Sequence, residues 1–165
     1  MSLPPDLSVA AASGDPATVL AAALTHFGCQ AGTVHLLREG VLRLAAHQNI
    51  PPQIVQIVDT VLIGKGIAGL AAQILEPVTI CNLQTDESGK ARPGARTTGM
   101  EGSLAVPMMT GTELRGVLGI AKAEAYDWPK EETALLLELG AALAERLESP
   151  GSARVPRAGF GLPPE

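Results

Sequence analysis

Residues 32–48, GTVHLLREGVLRLAAHQ, constrain the fold of this chain more than any other stretch. Two apolar runs flank Arg38-Glu39-Gly40, the pattern of an antiparallel hairpin. A three-residue loop with Gly40 left-handed pairs Leu37 with Val41, His35 with Arg43 and Thr33 with Ala45. One face then carries Val34, Leu36, Leu42, Leu44 and Ala46, all apolar. The other carries Thr33, His35, Leu37, Val41, Arg43, Ala45 and His47. A two-residue turn would move the register by one and mix the two faces. The three-residue closure is therefore expected. Its clean face should meet packed helices, and its mixed face solvent or a cavity.

The neighbouring segments extend this sheet. Asp15-Pro16 is a capping acid before a proline at the first helical position. Val19, Leu20, Ala23, Leu24 and Phe27 follow at helical spacing until Gly28. PPQIVQIVDTVL and IAGLAAQI read as short helices, and PVTICNL as a strand. SLAVPMM and LRGVLGIAKA form a second hairpin about TGTE. Pro129, Glu131 and Glu132 open a last helix that runs to about Glu148, its acids suited to the positive helix start. The order α-β-β-α-α-β-β-β-α predicts an α+β fold with a largely antiparallel sheet of five to six strands. Residues 15–148 form one domain in this reading. Residues 1–14 are expected to be linker or disordered. So is 149–165, where SPGSARVPRAGFGLPPE offers little to bury. Loop 83–102 is long and polar, a length that usually marks function.

Composition excludes several classes. The 165 residues are 46 % hydrophobic but only 2 % aromatic, so the core is built of Leu, Val, Ile and Ala. A net charge of −5 without a basic stripe or interleaved aromatics disfavours nucleic acid as a partner. No apolar run approaches the roughly 18 residues of a membrane span. Two cysteines, Cys29 and Cys81, and no charged, apolar leader make the cytoplasm the default expectation.

LIGKGIAGLAAQ holds Gly64, Gly66 and Gly69 in the order G-x-G-x-x-G, with Asp86 twenty residues beyond Gly66. A dinucleotide site needs those glycines between a parallel strand and its crossover helix. Here a helical segment precedes them and hairpins surround them. A tight turn and a close helix crossing are expected instead. Kinase motifs are absent as well.

Other constellations are no stronger. His26 and Cys29 have H-x-x-C spacing, but His35, His47 and Cys81 are scattered, so no four-ligand metal site is expected. Haem held by His35 would rest on one residue. No Gly-x-Ser-x-Gly elbow occurs, Cys81 lies in an apolar strand, and Glu131-Glu132 do not face each other. No catalytic residue is assigned. The last helix carries a stripe of Leu135, Leu136, Leu139, Ala142, Leu143 and Leu147 that Leu137, Ala141 and Ala144 widen. Such width predicts either deep packing or a homodimer face through Leu137, Ala141, Ala144 and Leu147.

Taken in order, GTVHLLREGVLRLAAHQNIP, IGKGIAGLAAQILEPVTICNLQTD and GSLAVPMMTGTELRGVLGIAKAEAYDWPKEETALLLELGAALAERL resemble a GAF domain across residues 15–148. The resemblance implies first and last helices on one sheet face. It implies a small-molecule pocket on the other, roofed by short helices with loop 83–102 as lid. The implied role is a bacterial-type sensory module, a homodimer acting on a kinase, cyclase or transcription-regulator output. Ligand contacts are expected from Thr33, His35, Arg43, Ile80, Asn82, Arg92, Arg96, Met100 and Ser103. The cyclic-nucleotide signature of the family falls on Ala121-Lys122 and Trp128-x-x-x-Glu132-Thr133, where Ala121 and Thr133 depart from it. Bilin attachment lacks its Cys-His pair. Two alternatives stand: a ligand-free dimerisation module with a filled pocket, and a free methionine sulfoxide reductase using cysteines.

Overall fold

The computed structural model describes residues 3–91 and 93–147. Its elements are α1 (Pro5–Ala12), α2 (Pro16–Phe27), β1 (Ala31–Arg38), β2 (Val41–Gln48), α3 (Pro52–Val58), β3 (Thr60–Val61), α4 (Gly66–Ile74), β4 (Val78–Ile80), a 3-10 helix (Pro93–Thr98), β5 (Gly102–Thr110), β6 (Glu113–Lys122) and α5 (Lys130–Ala144). The six strands form one antiparallel sheet in the order β3-β2-β1-β6-β5-β4. Helices α1, α2 and α5 cover one face, while α3, α4 and the 3-10 segment lie over the other. This is the expected α+β arrangement, with β3 and α1 as additions.

Helix ends follow the local chemistry. Asp15 caps α2, its Oδ2 accepting from the Thr18 amide at 3.1 Å. Gly28, at φ 66°, ends that helix in the left-handed region.

The first hairpin corrects the expected register. Arg38 pairs with Val41, so Glu39 and Gly40 form a two-residue turn with φ of 54° and 82°. Two successive positive φ angles match the right-handed twist of the flanking strands. A bulge at Ala45 then moves the register, pairing His35 with Leu44 on one side and Val34 with Ala46 on the other. Both turn and face segregation are thereby accommodated, but differently from expectation. Val34 and Ala46 join the helix-side core. Leu42 belongs instead to a cluster with Val61, Ala71 and Val117 on the opposite face.

The N-terminal segment is the second correction. Residues within 1–14, expected to be linker or disordered, form α1, and Leu7 is fully buried there. Leu7, Ala10 and Ala11 share one core with Leu136, Leu139, Leu143 and Ala144 of α5. The wide apolar surface of α5 is thus largely covered by its own chain. Of the expected dimer positions, Ala144 is buried outright, while Leu137, Ala141 and Leu147 are half-buried. The expected tail, 149–165, lies outside the described residues.

Candidate functional site

Strand alternation builds a cavity floor. On β1, β6 and β5 the residues facing away from α2 and α5 are Ala31, Thr33 and His35, then Val117, Gly119 and Ala121, then Ser103 and Ala105. On the helix side the same strands carry Val34, Leu104, Val106, Leu118 and Ile120. Large side chains therefore fill one face, and small ones leave space on the other. A cavity of about 270 Å³ results. Ile54, Ile57 and Val58 of α3 line one wall, and Lys65, Gly66, Ile67 and Ala68 at the start of α4 another. Leu83, Gly94, Ala95, Thr98 and Met100 close it from the long loop. The lining is overwhelmingly apolar, as is usual for small-molecule pockets.

Few polar groups face this space. His35 is 2 % exposed. Its Nε2 lies 2.8 Å from the Val58 carbonyl oxygen. A carbonyl only accepts, so Nε2 carries the proton and Nδ1 presents a bare lone pair. That buried Nδ1 has no hydrogen-bond partner. Burial pushes the His35 pKa below the usual imidazole range, outweighing the Val58 bond and nearby Asp59, so the ring is neutral at pH 7. Ser103 is 9 % exposed and lines the cavity with Thr33.

The structure brings together four of the expected ligand residues: Thr33, His35, Met100 and Ser103. Arg43 is not among the lining. The bulge and the shorter turn put it opposite Leu36, exposed, with Nη1 donating to Thr60 Oγ1 at 3.0 Å. Arg96 braces the lid instead of facing the cavity. Its Nε donates to the Leu83 carbonyl at 3.3 Å and its Nη2 to that of Asp86 at 2.8 Å. Asn82 shapes the same loop, its Oδ1 accepting from the Gln84 amide at 2.9 Å. Ile80 is buried opposite Ser103 but does not line the cavity. Arg92 lies outside the described residues. The sequence reading missed Ala31, Gly119, Ala121 and Ala105. Their signal is the large-small alternation in SLAVP and VLGIA, which leaves room beneath the lid.

The glycine motif does what a turn and a crossing require. Gly64, at φ 92°, donates its amide to the Gly69 carbonyl at 2.7 Å. A β-carbon on Gly69 would lie 2.5 Å from the Leu62 carbonyl oxygen, so only glycine fits that crossing. The motif borders the cavity through Gly66 but does not follow a parallel strand.

Residues elsewhere have structural partners. Lys122 Nζ donates to the Phe27 carbonyl at 2.6 Å and sits 4.6 Å over the Tyr126 ring, capping α2. Tyr126 donates to Glu132 Oε1 at 2.7 Å. The positions resembling the cyclic-nucleotide signature thus form a lock between α2, β6 and α5, with only Ala121 on the cavity. Neither cysteine lines the cavity. Burial raises Cys29 to about 11, and a hydrogen bond with Asp127 is the main cause that raises Cys81. His26 meets Asp6 at 2.8 Å. Among the described residues no group of three His, Cys, Asp or Glu could hold a metal ion, and no helix is long and apolar enough to cross a membrane.

The GAF domain family model matches residues 17–148, and the chain belongs to that family. Its fold is that of sensory or regulatory modules. No curated protein matches. The GAF domain of a phosphoenolpyruvate-protein phosphotransferase from Coxiella burnetii is 24 % identical, with TM-score 0.67, covering 87 % of this chain and 83 % of that one. The GAF domain of the Acinetobacter phosphoenolpyruvate-protein phosphotransferase is 19 % identical, with TM-score 0.70 and coverages of 86 % and 89 %. Free methionine-R-sulfoxide reductase from Neisseria meningitidis, solved with its substrate, is 20 % identical, with TM-score 0.69 and coverages of 86 % and 83 %. At these identities the likeness extends to the fold.

Proposed function

We propose that this GAF domain is a sensory module that holds a small molecule between its sheet and lid and acts without catalysis. The observation that carries the reading is the open, largely apolar cavity of about 270 Å³ between the sheet and the lid, lined by Thr33, His35 and Ser103. A purely structural dimerisation module would need no such space. A roughly 150 Å³ apolar cavity already accommodates benzene, so a compact ligand fits here. Reductase chemistry would need a thiolate at the cavity. Cys29 and Cys81 lie off it, and the surroundings of both hold them protonated.

Signalling in this proposal passes through the floor strands to α2 and α5 on their far side. Arg115 of β6 supports such a link, since its Nη2 donates to the Leu147 carbonyl at the exit of α5, 2.6 Å away. The output is a kinase, cyclase, phosphotransferase or transcription regulator, in cis or in trans. The solved relatives named above include domains taken from a phosphotransferase. Homodimerisation in this proposal uses the half-buried Leu137, Ala141 and Leu147, and a monomeric mass by light scattering would remove it. Amide NMR shifts on adding indole test the pocket. Perturbations at Thr33, His35, Ser103 and Ala121 support it, and shifts confined to other surfaces refute it.

A further inference from the structure

The β5–β6 hairpin carries part of the cavity floor and also seats α5. Ser103 and Ala105 of β5, with Gly119 and Ala121 of β6, line the cavity. Toward the turn of the hairpin the pairing slips. Met108 faces Gly116 and Met109 faces Leu114, so Arg115 is an extra residue in β6. Such a bulge re-aims the side chains around it. Leu114 packs with Leu42, Val61 and Val117 on the lid side, whereas Arg115 reaches the helix side and is 5 % exposed. Its guanidinium has two partners there. Nη1 donates to Thr110 Oγ1 at 3.1 Å, and Nη2 donates to the Leu147 carbonyl at 2.6 Å, in the turn that ends α5. A planar fork holds both acceptors in one fixed geometry.

The end of α5 is suited to such a partner. Its last turn has no basic residue of its own. Carbonyls at a helix C-terminus lack intrahelical partners and carry partial negative charge, so a cation beside them is stabilising. Within α5, Gly140 lies against the residue next to the slip: a β-carbon there would be 3.1 Å from Met108 Cγ. The helix is thus fixed to the bulge twice, by close packing at Gly140 and by a buried, charge-assisted hydrogen bond at Leu147.

Resting on the proposed sensory reading, we infer that Arg115 is a positioning residue that clamps the end of α5 to the bulged hairpin, so that a molecule filling the cavity changes the order of residues 145–147. A displacement of the floor at Gly119 is carried along β6 to the bulge, because a close-packed interior transmits strain. The fork passes it to the Leu147 carbonyl, with Thr110 holding the hairpin end.

Amide NMR of the whole chain tests the inference without and with indole. Without indole, Arg115→Met is expected to speed hydrogen exchange at the Glu145, Arg146 and Leu147 amides about tenfold, as loss of one buried hydrogen bond to a charged group warrants. Those amides bond to Ala141, Leu143 and Ala144 in the unaltered chain. With indole, the unaltered chain is expected to shift both at Thr33, Ser103 and Ala121 and at residues 145–147. In Arg115→Met the first set is expected to persist and the second to vanish, a selective loss that general destabilisation does not produce. Thr110→Val, which cuts the clamp at the hairpin alone, is expected to weaken the second set markedly, and it decides the matter if Arg115→Met does not fold. Undiminished shifts at 145–147 in either folded variant, or unchanged exchange there in Arg115→Met, overturn this inference and leave the sensory reading standing. So do cavity shifts without any at 145–147 in the unaltered chain. Absence of cavity shifts in the unaltered chain overturns both.

Discussion

The two faces of the sheet are built by the same strands and end differently. Toward α1, α2 and α5, the residues Val34, Leu104, Val106, Leu118 and Ile120 meet Leu20, Leu136, Leu139 and Leu143 in a closed core. Toward the lid, Ala31, Gly119, Ala121, Ser103 and Ala105 leave a cavity. The difference is one of side-chain volume at alternate positions, not of backbone geometry. A closed face tolerates little change in volume, whereas an open face accepts added atoms. The first carries stability, and the second leaves the space in which the proposed ligand would sit.

The sharpest way to break this contrast is a pair of substitutions. Leu139→Ala on the closed face, and Leu7→Ala beneath α1, are each expected to cost about 2–5 kcal/mol. Ala121→Leu on the open face should change stability by less than about 1.5 kcal/mol. Urea unfolding measures all three; comparable losses on the two faces would refute the contrast. Gly69→Ala comes next. The new methyl would meet the Leu62 carbonyl, and a loss of about 1–3 kcal/mol is expected in the same assay. Unchanged stability there would mean that the crossing is looser than described.

His35 gives a smaller, pH-dependent effect. Its folded pKa is depressed below the roughly 6.5 of a free imidazole. The unfolded chain then binds the proton more readily, so stability is full above that value and declines as pH falls through it. His35→Phe should flatten the fall between pH 7 and pH 5, followed by thermal melts. An unchanged pH slope would show that the ring is not held neutral by burial. The least effect is expected for Asp6→Asn. The Asp6–His26 pair is exposed, and no resolvable change in the melting midpoint should follow. A large drop would mean that α1 is attached by charge rather than by Leu7.

Much of this contrast was legible in the sequence. Asp15-Pro16 and Gly28 marked α2 because capping and left-handed termination are local. The Leu spacing of α5 marked the closed face because burial follows helical periodicity. The family resemblance placed the pocket under loop 83–102. Three features were not legible for physical reasons. The bulge at Ala45 is set by packing on both sheet faces, not by the turn residues alone, and it displaced Arg43 from the cavity. Helix α1 is short and made of small residues, so it takes its order from burying Leu7 on α5 rather than from propensity. That contact also helps bury Ala144 of the expected dimer positions, while Leu137, Ala141 and Leu147 stay half-buried. Arg96 and Asn82 were sensible ligand candidates by residue type. Their partners are lid carbonyls and amides, which only the folded loop brings within reach.

Native mass spectrometry of the freshly purified protein and of its Ala121→Leu variant tests the central claim most directly. With indole added, the unaltered chain is expected to show a single 1:1 adduct that is markedly reduced in the variant, whose added side chain narrows the cavity. An adduct retained in full by the variant, or none on either protein, would contradict a ligand site on the open face of the sheet.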